Sequence, residues 1–210
     1  MRKVMLVLVS VLWGAAATAG PVTVAALGDS LTQGYGLPPE EGFVPQLERW
    51  LLDQGVDAEL INAGVSGDTT AGGAARVAWT LTPEVDAMIV ALGGNDVLRG
   101  IEPAVARDNL ETILSAAEAA EVAVLLVGLQ APGNYGAVYK EDFEAIYPDL
   151  SKKFGTFYAE NFFAGLNAGG DPEAARSLMQ NDGIHPNSEG VTRIVTALGP
   201  HVLKLIASVE

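Results

Sequence analysis

A serine in "GDS", an asparagine in "GGND" and an Asp-x-x-His pair in "DGIHPN" are the residue types that acyl transfer needs. Ser30 is the candidate nucleophile. A serine hydroxyl attacks a carbonyl only when a general base takes its proton, and histidine is the usual base. His185 is that candidate, and Asp182, three residues earlier, is the carboxylate that would fix its tautomer and stabilise the imidazolium. The tetrahedral intermediate then needs donors for its oxyanion. The backbone N–H groups of Ser30 and Gly67 and the side-chain amide of Asn95 are the candidates; losing one such donor costs about 10²- to 10³-fold in rate. Asp29 also adjoins the serine. As a strand-end neighbour it is expected to point away from Ser30 and to brace the loop.

Each of these segments alone has a plainer reading. "GDS" is a common turn, and "GGND" ends a strand because Gly and Asn tolerate turn dihedrals. "SGDTT" is a loop with a helix cap, and "DGIHPN" is a turn followed by a proline at a helix start. The elements around them decide the matter.

Short apolar runs alternate with longer amphipathic ones along the chain. Strands are expected over 22–27, 58–61, 86–92 and 122–129, with a weaker fifth over 157–163. Helices are expected over 43–54, 69–80 (capped by Asp68), 103–120, 139–154 and 188–209. Strands apolar on both faces, separated by helices, call for a parallel sheet covered on both sides. The expected architecture is a three-layer α/β/α sandwich with five parallel strands. Ligands in such sheets bind beyond the carboxyl ends of the strands. Ser30, then Ser66 and Gly67, then Asn95 follow the first three strands, and Asp182 and His185 precede the last helix. Four segments therefore deliver small or polar residues to one edge.

The chain has 210 residues, 49 % of them hydrophobic, and no cysteine. That suffices for one buried core, and no linker or repeat marks a second domain. Without cysteine there are no disulfides, thiol nucleophiles or thiolate metal sites, and two histidines are too few for a histidine-rich metal centre. His201, next to Pro200 in the last helix, is expected at the surface or in packing. A formal charge of −14 disfavours nucleic acid and anionic lipid as stable partners. There is no G-x-S-x-G elbow, no phosphate-binding G-x-x-x-x-G-K-[ST] loop and no G-x-G-x-x-G after a strand, so no nucleotide cofactor is expected. The opening "MRKVMLVLVSVLWGAAATAG" has a basic start, an apolar run and Ala17-Thr18-Ala19 as an A-x-A site. It reads as a signal peptide over 1–19, followed by a single domain over 20–210 and a periplasmic or secreted destination. The apolar run falls short of the ~20 residues a membrane span needs.

"GDSLTQGYG", "GVSGDTT", "GGND" and "DGIHPN", in that order, resemble the blocks of the SGNH (GDSL) hydrolase family. "NAGVSGDTTAGGAARV", "LGGNDVLRG" and "NYGAVYKEDFEAIYPDL" resemble its periplasmic thioesterase I, lysophospholipase L1 and arylesterase branch. The resemblance implies a flavodoxin-like sandwich, Ser30 as nucleophile, Gly67 and Asn95 as oxyanion donors, His185 as base and Asp182 as its partner. It implies hydrolysis of esters, thioesters or lysolipids without metal or organic cofactor. "DVLRGI", after Asn95, resembles a loop that closes over acyl chains; Leu98, Tyr135 and Ile184 are the residues expected to line an apolar groove. A carbohydrate O-acetylesterase and a non-catalytic binding protein on the same fold are the alternatives. A monomer is the simplest assembly.

Overall fold

The apolar run that opens at Val22 becomes the strand around which the rest of the molecule is arranged. A computed structural model describes residues 20–166 and 172–209; the signal-peptide reading of 1–19 falls outside the described residues. Five strands, β1 (Val22–Gly28), β2 (Ala58–Gly64), β3 (Ala87–Ala91), β4 (Ala123–Val127) and β5 (Phe157–Ala159), form one sheet. All are parallel, in the order β2-β1-β3-β4-β5. The expected α/β class and five-stranded parallel sheet are what the chain forms. Among the described residues the helices are α1 (Ser30–Gln33), α2 (Phe43–Asp53), α3 (Thr70–Thr80), α4 (Gly94–Leu98), α5 (Pro103–Ala119), α6 (Ala137–Phe154), α7 (Pro172–Ser177) and α8 (Ser188–Ile206).

Both faces of the sheet are covered, which is why β3 and β4 are apolar throughout, and β1 is so but for Thr23, rather than alternating. Helices α2 and α8 pack together on one side, and α3, α5 and α6 pack in series on the other. Helix α2 shows why such segments fold as they do. Its buried residues Phe43, Val44, Leu47 and Leu51 recur at helical spacing and form one stripe against the core. Gly199 lets α8 approach that helix closely: a Cβ there would lie 2.4 Å from the Trp50 ring. Proline at the first position of α5 and the Asn187 side chain capping α8 set where those helices begin.

Two local expectations are corrected. The cap of α3 is Thr69, whose hydroxyl accepts from the Gly72 N–H, while Asp68 pairs with Arg76 at 2.7 Å. A long-range charge partner takes the carboxylate, and the neighbouring threonine is free to cap. The fifth strand stops at Ala159, not 163; Phe162 turns back into the core and Phe163 faces a cavity. As expected of a residue without a role at the strand ends, His201 is half-buried on α8.

Strand order reverses direction at β1, since β2 lies on one side of it and β3 on the other. Crevices at such reversals, beyond the carboxyl ends, are where open parallel sheets bind ligands. Ser30 follows β1 and Asn95 follows β3, so both stand at that crevice.

Candidate active site

Ser30 is the first residue of α1, immediately after β1. Asp29 makes this turn possible: its Oδ1 accepts the Leu31 N–H at 3.0 Å and so caps the helix. The carboxylate is buried, with 2 % of its surface exposed. Its other oxygen accepts from Asn95 Nδ2 at 3.3 Å. It braces the loop and makes no contact with the histidine, as its strand-end position implied. Burial pushes the Asp29 carboxyl up to about 6, against the pull of the hydrogen bonds from Leu31 and Asn95.

The segment before α8 carries the other two groups. Asp182 Oδ1 accepts the backbone N–H groups of Ile184 and His185 at 2.9 and 3.0 Å, which folds the loop into a tight turn. Its Oδ2 stands 2.6 Å from His185 Nδ1, and His185 Nε2 stands 2.9 Å from Ser30 Oγ. These hydrogen bonds to His185 and Ile184 hold the Asp182 carboxyl down at about 2. An ionised carboxylate only accepts, so Nδ1 carries the proton and the Nε2 lone pair faces the serine hydroxyl. The Tyr35 ring, 4.7 Å from the imidazole centroid to centroid, packs against the histidine.

Gly67 and Asn95 flank the serine from β2 and β3. Gly67 has φ +82°, a left-handed conformation that favours glycine. Neither the Ser30 nor the Gly67 N–H donates to another backbone carbonyl among the described residues, and both residues line the same cavity. Two arginines hold this region from behind. Arg99 donates to the Gly67 carbonyl at 2.8 Å. Arg76 on α3 reaches Gly28 O, Ala63 O and Asp68 Oδ2 at 2.7–2.8 Å, tying the ends of β1 and β2 to the loop that follows Gly67. Asn95 Nδ2 donates to Asp68 O at 2.9 Å, so that same loop orients the amide. Buried Asp96 accepts from the Thr70 backbone and hydroxyl at 2.8 and 2.6 Å and fixes α4 to α3.

Ser30, Gly67, Asn95 and His185 open onto a mostly apolar cavity of about 450 Å³. Of the three groove residues expected, Leu98 and Ile184 line it, and both are exposed. Tyr135 does not line it; its ring packs on Tyr139 and faces Gly100. Leu98 ends the short helix α4 rather than sitting in an irregular loop. Leu129, Pro132 and Phe163 complete the apolar wall and were not singled out from sequence. For Leu129 and Pro132 the signal was present, since they follow the fourth strand on the edge already picked out. Among the described residues no group of three or more His, Cys, Asp or Glu side chains could hold a metal ion.

Chemically, this arrangement can move a proton from a hydroxyl to an imidazole beside a set of N–H donors, next to space for an apolar substituent. Residues 26–193 match the GDSL-like Lipase/Acylhydrolase family. The chain is 38 % identical over 185 residues to "Esterase TesA" of Pseudomonas aeruginosa, covering 88 % of this chain and 89 % of that protein. It is 36 % identical over 173 residues to the "Thioesterase 1/protease 1/lysophospholipase L1" of Escherichia coli K12, covering 80 % and 76 %. The crystal structure of AlinE4, a SGNH-hydrolase family esterase, superposes with a TM-score of 0.73 at 40 % identity, covering 90 % of this chain and 98 % of that one. With its sheet, its four sequence blocks and these likenesses in agreement, the chain belongs to the GDSL-like lipase/acylhydrolase family.

Proposed function

We propose that this protein is a serine esterase that cleaves carboxylic esters and thioesters through an acyl-enzyme. The observation that carries this reading is the unbroken chain from Ser30 Oγ through His185 to Asp182, with contacts of 2.9 and 2.6 Å, at the mouth of an apolar cavity. Ser30 Oγ attacks the ester carbonyl while His185 Nε2 takes its proton. The oxyanion is met by the N–H groups of Ser30 and Gly67 and by Asn95 Nδ2. That amide already serves Asp68 O and, at the longer 3.3 Å, Asp29. The weaker of those two bonds is the one given up to the oxyanion. Collapse breaks the bond to the leaving oxygen or sulfur, to which the imidazolium passes the proton. Water, deprotonated by the same imidazole, then releases the acid and restores Ser30. Asp182, ionised down to about 2, stabilises the imidazolium throughout.

The apolar lining favours acyl chains over sugars, which disfavours the carbohydrate O-acetylesterase reading. Relatives named esterase and thioesterase/lysophospholipase support the same substrate classes. The basic-then-apolar opening and A-x-A site support export with cleavage after residue 19, leaving one catalytic domain over 20–210.

The test is release of p-nitrophenol from p-nitrophenyl butyrate. Ser30→Ala should lower kcat by at least about 10³-fold with an unchanged circular dichroism spectrum. Full activity in that variant overturns the proposal.

A further inference from the structure

Phe163, Gly183 and Ile184 belong to two cavities at once. On one side of them lies the cavity with Ser30 and His185. On the other lies a second one of about 360 Å³, closed by Leu166, Ala175 and Met179 and rimmed by Arg176 on α7. An ester has two halves joined at the reacting carbonyl, so a site with two adjoining arms that share these residues can hold both. The larger arm holds the oxyanion donors and a mostly apolar wall, which suits the acyl half.

Proton transfer decides which half enters the other arm. The imidazolium must hand its proton to the departing oxygen or sulfur, so the leaving group departs on the side of His185. Gly183 and Ile184 are the two residues just before His185 and form a wall of the second arm. That arm therefore opens where the leaving group goes.

Arg176 gives the arm its chemistry. Among the described residues it is the one charged side chain lining the arm, it is exposed, and none of the ion pairs there includes it. Asp182, which precedes Gly183 in sequence, is committed to His185. On a chain of net charge −14, a guanidinium with no ion pair among the described residues, beside a substrate cleft, is the feature that would draw in an anion. We propose that this second arm is the leaving-group subsite and that Arg176 makes it prefer alcohols or thiols bearing a negative charge, carboxylate or phosphate. The inference rests on the serine-esterase reading above.

The experiment compares kcat/KM for the butyrate esters of para-hydroxybenzoate, of para-hydroxyphenyl phosphate and of neutral para-hydroxybenzamide. Intrinsic differences between the leaving groups cancel when each anionic-to-neutral ratio is compared between the wild type and a variant. Arg176→Gln should lower at least one anionic-to-neutral ratio by about three- to fivefold, the size expected of an exposed charge pair. Arg176→Glu should lower it further, and about 1 M salt should shrink the difference by screening. Loss confined to the phosphate ester identifies phosphate as the anion read; loss for both identifies charge alone. Ratios unchanged in both variants overturn the inference while the esterase reading stands. Failure of the wild type to hydrolyse any of the three esters overturns both.

Discussion

Asp29 is the residue on which stability and function pull apart. Its carboxyl is raised from 3.8 to about 6, chiefly by burial, yet it orients both the Ser30 turn and the Asn95 amide. A group whose value in the folded chain is raised supports the fold in its protonated form. That support is complete below about pH 4 and is lost as pH rises through about 6. Asn at this position keeps the shape and an acceptor for the Leu31 N–H but carries no charge. Asp29→Asn should therefore gain about 1–3 kcal/mol of stability at pH 8, with no gain at pH 3.5, by urea unfolding at the two values. Equal effects at both would show that the charge is not what costs stability. Asp182 behaves in the opposite way, since hydrogen bonds hold it at about 2. It stays ionised above pH 4 and contributes no titration of its own to a pH–rate profile there. Ser30, Gly67, Asn95, Asp182 and His185 were all legible from sequence, because each stands in a short polar block at the end of an apolar run. Arg76 and Arg99 were not, since what they hold is backbone carbonyls far along the chain, and nothing in their neighbours' identities signals that.

At the scale of elements, the site is an assembly of four loops, and Arg76 is the tie between two of them. Its guanidinium binds Gly28 O at the end of β1, Ala63 O near the end of β2, and Asp68 in the loop after Gly67. With its side chain 21 % exposed, removal leaves two carbonyls and a carboxylate poorly paired. Arg76→Met should cost about 2–4 kcal/mol by urea unfolding, within the range for breaking partly buried charged hydrogen bonds. It should also lower kcat for p-nitrophenyl butyrate more than it raises KM, because Asp68 O positions Asn95. A stability change under 0.5 kcal/mol would show that α3 does not tie these strand ends together. The strands and long helices were readable because their periodicity is set by burial on one stripe or on both sheet faces. The cap of α3 and the end of β5 were not. Asp68 and Thr69 are both able to cap, and a charge partner eight residues away chooses between them. At β5, "FYAENFF" returns to apolar residues at Phe162 and Phe163, but Phe162 is drawn into the core and makes a tilted ring contact with Phe43 instead of extending the sheet.

For the whole molecule, one sheet and one contiguous hydrophobic core connect β1, at the start of the fold, to α8 at the end of the chain. Packing joins these layers across distant sequence, so urea unfolding followed by tryptophan fluorescence and by circular dichroism should give coincident single transitions. Two separated transitions would contradict a single domain over 20–210. On the proposed reading the acidic surface and the apolar cleft divide the work: the charge would keep anionic polymers away, and the cleft would admit small acyl compounds. The central claim, that Ser30 is a nucleophile activated by His185, is tested most directly by covalent capture. A fluorophosphonate should add once per chain, and mass spectrometry should place the adduct on the peptide containing Ser30, with no adduct in Ser30→Ala. An unmodified wild-type chain, or an adduct on another residue that persists in Ser30→Ala, would contradict the account.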